Sequence, residues 1–255
     1  MLNKDAYPIL EYDSERDAVI NPDNFKERNG MLSSDKLIIC FFKEVIKLLL
    51  EEGRIEHCKT ITGENDKPIY RFIEDGVLIV GGIVGCPATG TLLDELTALG
   101  LKKVMFAGGA GVLDSSIGAG ELFVVTGAIR DEGFSYHYLP PSRTVECDPE
   151  CVDRIAAYLD GRGIKYTKGI TWTTDALYRE TREKIAARRA EGARMVEMEQ
   201  SGCIAVAKFR GLKYGALLYG GDDVSGEVWD ERMWHDRRGV RYSAVELCRE
   251  LLKEI

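Results

Sequence analysis

Arg194-Met195-Val196-Glu197-Met198-Glu199-Gln200-Ser201-Gly202-Cys203-Ile204-Ala205-Val206-Ala207-Lys208-Phe209-Arg210 is the stretch on which the fold turns. A short apolar run ends at Val196, two carboxylates flank Met198, and small and apolar residues then recur at helical spacing. The pattern predicts a strand giving way to a helix at Glu199. The first backbone N–H groups of such a helix lack partners and favour an anion. Two acids split by a methionine suit a pocket that grips hydroxyl groups and packs an apolar face beside them. A second acidic cluster, Gly220-Gly221-Asp222-Asp223, follows the apolar run Ala216–Tyr219. Together the clusters suggest a site for a sugar joined to a flat, protonatable group. For Asp222 and Asp223 the competing reading is a turn after two glycines.

Outward from this stretch, short apolar runs alternate with helical patterns. Ser34 is placed to cap a helix over about 35–53, which Gly53 stops. A polar turn at 63–66 separates two strands, another strand covers 77–84, and a helix covers 87–99. Residues 103–107 read as a strand running into a glycine-dense loop at 108–111. Further on come a strand at 121–129, a helix from Asp148 or Pro149 to about 160, and a strand at 166–173. A strongly charged helix, 178–191, precedes the strand–helix–strand of 194–219, and a final helix runs to the C-terminus. The alternation indicates a βαβ-built sheet with helices on both faces, in one domain over 1–255.

Composition narrows the function. The chain has 255 residues, 45% hydrophobic and 30% charged, with a net charge of −8. That balance, with no basic run, argues against a nucleic-acid partner. Residues 37–50 are interrupted by Lys43, Glu44 and Lys47, which excludes a membrane span there. No signal-peptide pattern opens the chain, so a cytoplasmic location is expected. Seven scattered cysteines, with only Cys147 and Cys151 close together, read as reduced thiols packed as small hydrophobes, and no metal site is expected.

The glycine segment, Val104-Met105-Phe106-Ala107-Gly108-Gly109-Ala110-Gly111, places bare backbone at the carboxyl end of a strand. Glycine N–H groups there can approach an anion or a ribose. It fits neither a dinucleotide fingerprint nor a P-loop, and a tight turn explains it equally well.

With these pieces in place, the chain resembles the nucleoside phosphorylase and nucleosidase superfamily. The resemblance is carried by Gly108–Gly111, Val124-Val125-Thr126-Gly127-Ala128, Trp172-Thr173-Thr174-Asp175, Val196-Glu197-Met198-Glu199 and Gly221-Asp222, in the family's order from about residue 75 onward. It implies a single α/β domain with a central mixed, twisted sheet flanked by helices. It implies that Glu199 accepts hydrogen bonds from ribose hydroxyls, that Met198 packs on the sugar, and that Glu197 lines the same floor. Thr174, Leu177 and Val196 would shape a base pocket, and Asp222 would be the general acid that protonates a purine at N7. Breaking an N-glycosidic bond builds positive charge on the ribose and negative charge on the base, so acids at both ends suit that chemistry. Asp223 beside Asp222 would help it keep its proton. The family's usual Ser before that acid is Gly221 here.

Phosphorylases of the family commonly place an Arg and a Ser or Thr where this chain has Phe106 and Gly109. Either phosphate is held otherwise, by Gly109 and Arg130, with Arg179 or His137 behind them, or water is the nucleophile. Orthophosphate is the expected co-substrate of a phosphorylase and no other cofactor is implied. Catalytically impaired nucleoside binding is a third reading. The family implies a homo-oligomer, dimer or hexamer. Ser135-Tyr136-His137-Tyr138-Leu139-Pro140-Pro141 reads as a substrate-covering loop or an interface segment. Trp229 and Trp234 read as a cover over the base or as surface filler.

Overall fold

Leu37, Ile38, Ile39 and Cys40 are wholly buried, as expected of a parallel strand covered on both faces. In this computed structural model, which describes residues 2, 4–63, 66–233 and 237–255, the helix expected over 35–53 is therefore two elements. Lys36–Cys40 is strand β1 and the helix begins only at Lys43. Ser34 accepts from the Lys36 amide at 3.3 Å and turns the chain into the strand instead of capping a helix.

In chain order the elements are α1 (Lys26–Asn29), β1, α2 (Lys43–Glu51), β2 (Ile55–Ile61), β3 (Lys67–Phe72), β4 (Leu78–Gly81), α3 (Cys86–Ala98), β5 (Lys103–Val112) and β6 (Leu122–Asp131). They continue with β7 (Thr144–Glu146), α4 (Pro149–Gly161), β8 (Tyr166–Thr174), α5 (Arg182–Ala190), β9 (Ala193–Glu197), α6 (Gln200–Arg210), β10 (Lys213–Asp223) and α7 (Arg238–Leu251). The N-cap of α4 is Asp148, whose side chain accepts from the Glu150 amide at 3.0 Å. The charged helix is shorter than expected: Leu177–Arg179 forms a separate 3-10 turn, and Thr181 caps α5. The expected turn at 63–66 includes Glu64 and Asn65, which lie outside the described residues, as does Trp234.

The strands form one mixed sheet in the order β10-β6-β8-β9-β5-β1-β4-β3-β2. Because β5 also pairs with β10, the strands β5, β10, β6, β8 and β9 close on themselves. Strands β1, β4, β3 and β2 continue from this ring as an open wing. The glycine segment 108–111 is not a loop. It is the second half of β5, paired with β10 from Gly108 to Ala110 and with β9 at Gly111. A ring that closes brings the ends of strands distant in sequence to one rim, as in other closed sheets.

Gly127 shows how tightly the ring is built. A Cβ there would lie 2.6 Å from the Val145 carbonyl oxygen and 3.2 Å from the Glu146 Cα. Both are backbone atoms of the paired strand β7 and cannot swing aside. Gly127→Ala is expected to destabilise the chain by about 1–3 kcal/mol, read as a lower urea midpoint; an unchanged midpoint would show that β7 yields freely.

Candidate active site

The site begins with Glu197, the last residue of β9. Its Oε1 accepts from Thr171 Oγ1 at 2.9 Å and Thr173 Oγ1 at 2.6 Å, both from β8. Its Oε2 accepts from the Glu199 and Gln200 amides at 2.6 Å each. The orphan donors at the start of α6 are thus met by a carboxylate one turn back. Glu197 spends its carboxylate on the protein, where the sequence placed it on a sugar floor. It positions Glu199 rather than presenting itself.

Glu199 follows at the N-terminus of α6, and its Oε1 accepts from the Gly85 amide at 2.7 Å. Gly85 precedes α3 with φ +97°, a conformation suited to glycine. Glu199 is buried, and its carboxyl is pushed up to about 8, first by burial and then by the charge of Glu197. Burial raises both carboxyls of the pair; the four donors to Glu197 oppose that rise, whereas Glu199 is raised further by the charge of Glu197. Met198 between them is half-buried.

A second group gathers around Gly111. A Cβ on Gly111 would lie 2.9 Å from Val196 Cγ1 and 3.7 Å from Asp222 Oδ1. Val196 on β9 and Asp222 on β10 therefore both border the bare backbone of Gly111. Val196 also joins the two groups, because it directly precedes Glu197. Thr174 is buried at the end of β8 and turns its hydroxyl to the Ala176 amide at 3.2 Å. Leu177 is 52% exposed on the rim.

Two contacts here escaped the sequence reading. Glu180, read as part of a solvated charged helix, is half-buried, and its carboxyl is pushed up to about 7 by burial and by the charge of Asp222. Trp229 donates its indole N–H to Asp222 Oδ2 at 2.7 Å. Asp223, expected to support Asp222, instead turns to an ion pair with Arg232 and accepts from the Ser225 amide at 2.8 Å. The acid that feels the charge of Asp222 is Glu180.

The expected phosphate ligands fare differently. Arg130 is buried and committed: Nε donates to Ser135 Oγ at 2.8 Å, Nη1 to the Pro140 carbonyl and Ser142 Oγ, and Nη2 to the Leu139 carbonyl. It also stacks over Tyr136 at 4.2 Å. Arg130 thus clamps the Ser135–Pro141 segment, and the expectation that it holds phosphate is corrected. Arg179 is exposed, and His137 lines a separate cavity of about 410 Å³ beside Arg16, Phe134 and Phe209 that contains none of the other candidates. Phe106 packs on Phe41 with ring centroids 4.9 Å apart, so this corner is apolar. Gly109 faces Tyr219, whose hydroxyl would lie 3.1 Å from a Cβ there. That hydroxyl accepts from Arg241 Nε at 2.9 Å, which sets a cation beside the glycine strand. Among the described residues no cluster of His, Cys, Asp and Glu could hold a metal, and no helix is long and apolar enough to cross a membrane.

The closed mixed sheet flanked by helices, with a glycine-bearing strand and a buried glutamate at a helix start, sets the chain among α/β proteins. Residues 36–255 match the phosphorylase superfamily, and the chain belongs to that family of enzymes. It is 25% identical over 134 residues to a guanosine phosphorylase of Halorubrum lacusprofundi, a match covering 52% of this chain and 56% of that protein. Among solved structures, a uridine phosphorylase from Vibrio fischeri superposes with a TM-score of 0.71 at 21% identity, covering 87% of this chain and 93% of the other. An AMP nucleosidase from Bacteroides thetaiotaomicron superposes at 0.69 and 22% identity, covering 90% and 96%.

The raised carboxyl of Glu199 gives a stability test. A group raised in the folded state contributes most below its ordinary value of 4.5 and loses that contribution as pH climbs to about 8. Glu199→Gln cannot ionise, so it should flatten the fall in stability between about pH 5 and pH 9 and raise the urea midpoint at the alkaline end. A pH profile superimposable on that of the parent would contradict the buried proton.

Proposed function

We propose that the chain is a nucleoside phosphorylase that cleaves the N-glycosidic bond of a purine nucleoside with orthophosphate, giving free base and ribose 1-phosphate. The observation that carries this reading is the meeting of Asp222 with Val196 across Gly111, with Glu199 three residues beyond Val196. Glu199 accepts from the ribose hydroxyls, and Met198 packs on the sugar. Those hydroxyls favour the ionised form of Glu199, so binding releases its proton. Asp222 protonates the leaving base, while Thr174, Leu177 and Val196 border it. Phosphate lies along the glycine strand at Gly109, where Arg241 stands behind Tyr219.

Hydrolysis of the same bond is the second reading, and the Phe41–Phe106 contact favours it. An apolar corner offers phosphate none of the charge-assisted bonds that hold an anion firmly. Base release from guanosine, inosine and adenosine, measured with and without orthophosphate, separates the two. Phosphate-dependent release with ribose 1-phosphate as product is expected; full turnover without phosphate would transfer the assignment to a nucleosidase.

Asp222→Asn is expected to slow turnover of purine nucleosides by about 10²–10⁴-fold. Undiminished turnover in that variant would remove Asp222 from the chemistry.

A further inference from the structure

The two carboxylate oxygens of Asp222 have different surroundings. Oδ1 lies over Gly111, beside Val196, on the side where the substrate is placed above. Oδ2 accepts the Trp229 indole N–H at 2.7 Å. The indole is not on a loose tail. Asp223 and Asp230 exchange backbone hydrogen bonds of 2.8 and 3.0 Å, closing residues 224–229 into a hairpin. Three arginines tie this hairpin to the body: Arg182 to the Glu227 carbonyl at 3.0 Å, Arg189 to the Ser225 carbonyl at 3.2 Å, and Arg232 to the Ile117 carbonyl at 2.9 Å. Arg232 and Met233 then take φ values of 48° and 49°, a region that non-glycine residues seldom occupy. That geometry is held by the ion pair of Arg232 with Asp223, next to the acid itself.

We propose that Trp229 is the positioning residue of the catalytic acid: its indole N–H fixes one oxygen of Asp222 and so presents the other to the leaving base. The proposal rests on the glycosidic-cleavage reading above. In that reaction an oxygen of orthophosphate bonds to the ribose C1′ as the C1′–N bond breaks, and the electron pair of the broken bond passes into the base. The proton of Asp222 moves to a base nitrogen, and Asp222 is left as a carboxylate. A hydrogen bond to a carboxylate is stronger than one to the neutral acid. The indole bond therefore tightens as the proton departs, which helps the transition state more than the bound substrate. Trp229 is 54% exposed, so water competes and the effect stays moderate.

Trp229→Phe keeps a ring and removes the N–H. The test compares the full-length chain and this variant on guanosine and on 7-methylguanosine, whose base already carries the charge that protonation would supply and leaves without an acid. On guanosine, kcat is expected to fall roughly tenfold with a smaller change in KM. On 7-methylguanosine the loss should be far smaller, and in an Asp222→Asn background Trp229→Phe should cost no further guanosine turnover. Equal losses on both nucleosides would make Trp229 part of the scaffold and overturn the proposal, as would unchanged guanosine turnover. Failure of the parent chain to cleave either nucleoside, with phosphate or without, would be a different result: it would sink the reading of the whole site and this role with it.

Discussion

The buried carboxylate of Glu197 is the interaction on which the rest of this site depends. Moving a charge out of water is costly unless donors replace the lost hydration. Here two threonine hydroxyls and two backbone amides do so, all within 2.9 Å. The hydroxyls come from β8 and the amides from the first turn of α6, so one side chain ties two strands and a helix together. Thr173 also accepts from the Ser201 amide at 3.0 Å, which extends the same knot one residue further into the helix. Glu199 is held between this knot and the amide of Gly85, and its direction follows from both.

That arrangement divides labour between two acids of similar burial. Glu197 has its charge matched by the protein, and it raises the energy of a second charge nearby. Glu199, met by the Gly85 and Met198 amides alone, is therefore the acid with more unfilled accepting capacity. In the proposed reaction the ribose hydroxyls supply the missing donors. Unmet demand of this kind in a rigid setting is how binding energy is directed at one substrate class.

Ring closure has a parallel effect on the other half of the site. Gly111, Val196 and Asp222 belong to three strands, and they meet only because β5 pairs with β9 on one side and with β10 on the other. Glycine at 111 leaves room for that meeting. Arg130 is committed to the 135–142 segment, and Arg241, bonded to Tyr219 and ion-paired with Glu44, is a cation near the glycine strand.

Sequence by itself determined the alternation of strands and helices and the strand-to-helix junction at Glu199, and it singled out the acids at 199 and 222 as candidates. Local periodicity and the chemistry of short motifs suffice for these. The split of 35–53 into β1 and α2 was not legible, because a run buried on both faces lacks the alternation that marks a strand. Nor were the internal bonding of Glu197, the clamp made by Arg130, or the approach of Glu180 and Trp229 to Asp222. Each depends on which distant residue lies opposite, and that was decided only when five strands closed into a ring and set their ends around one rim.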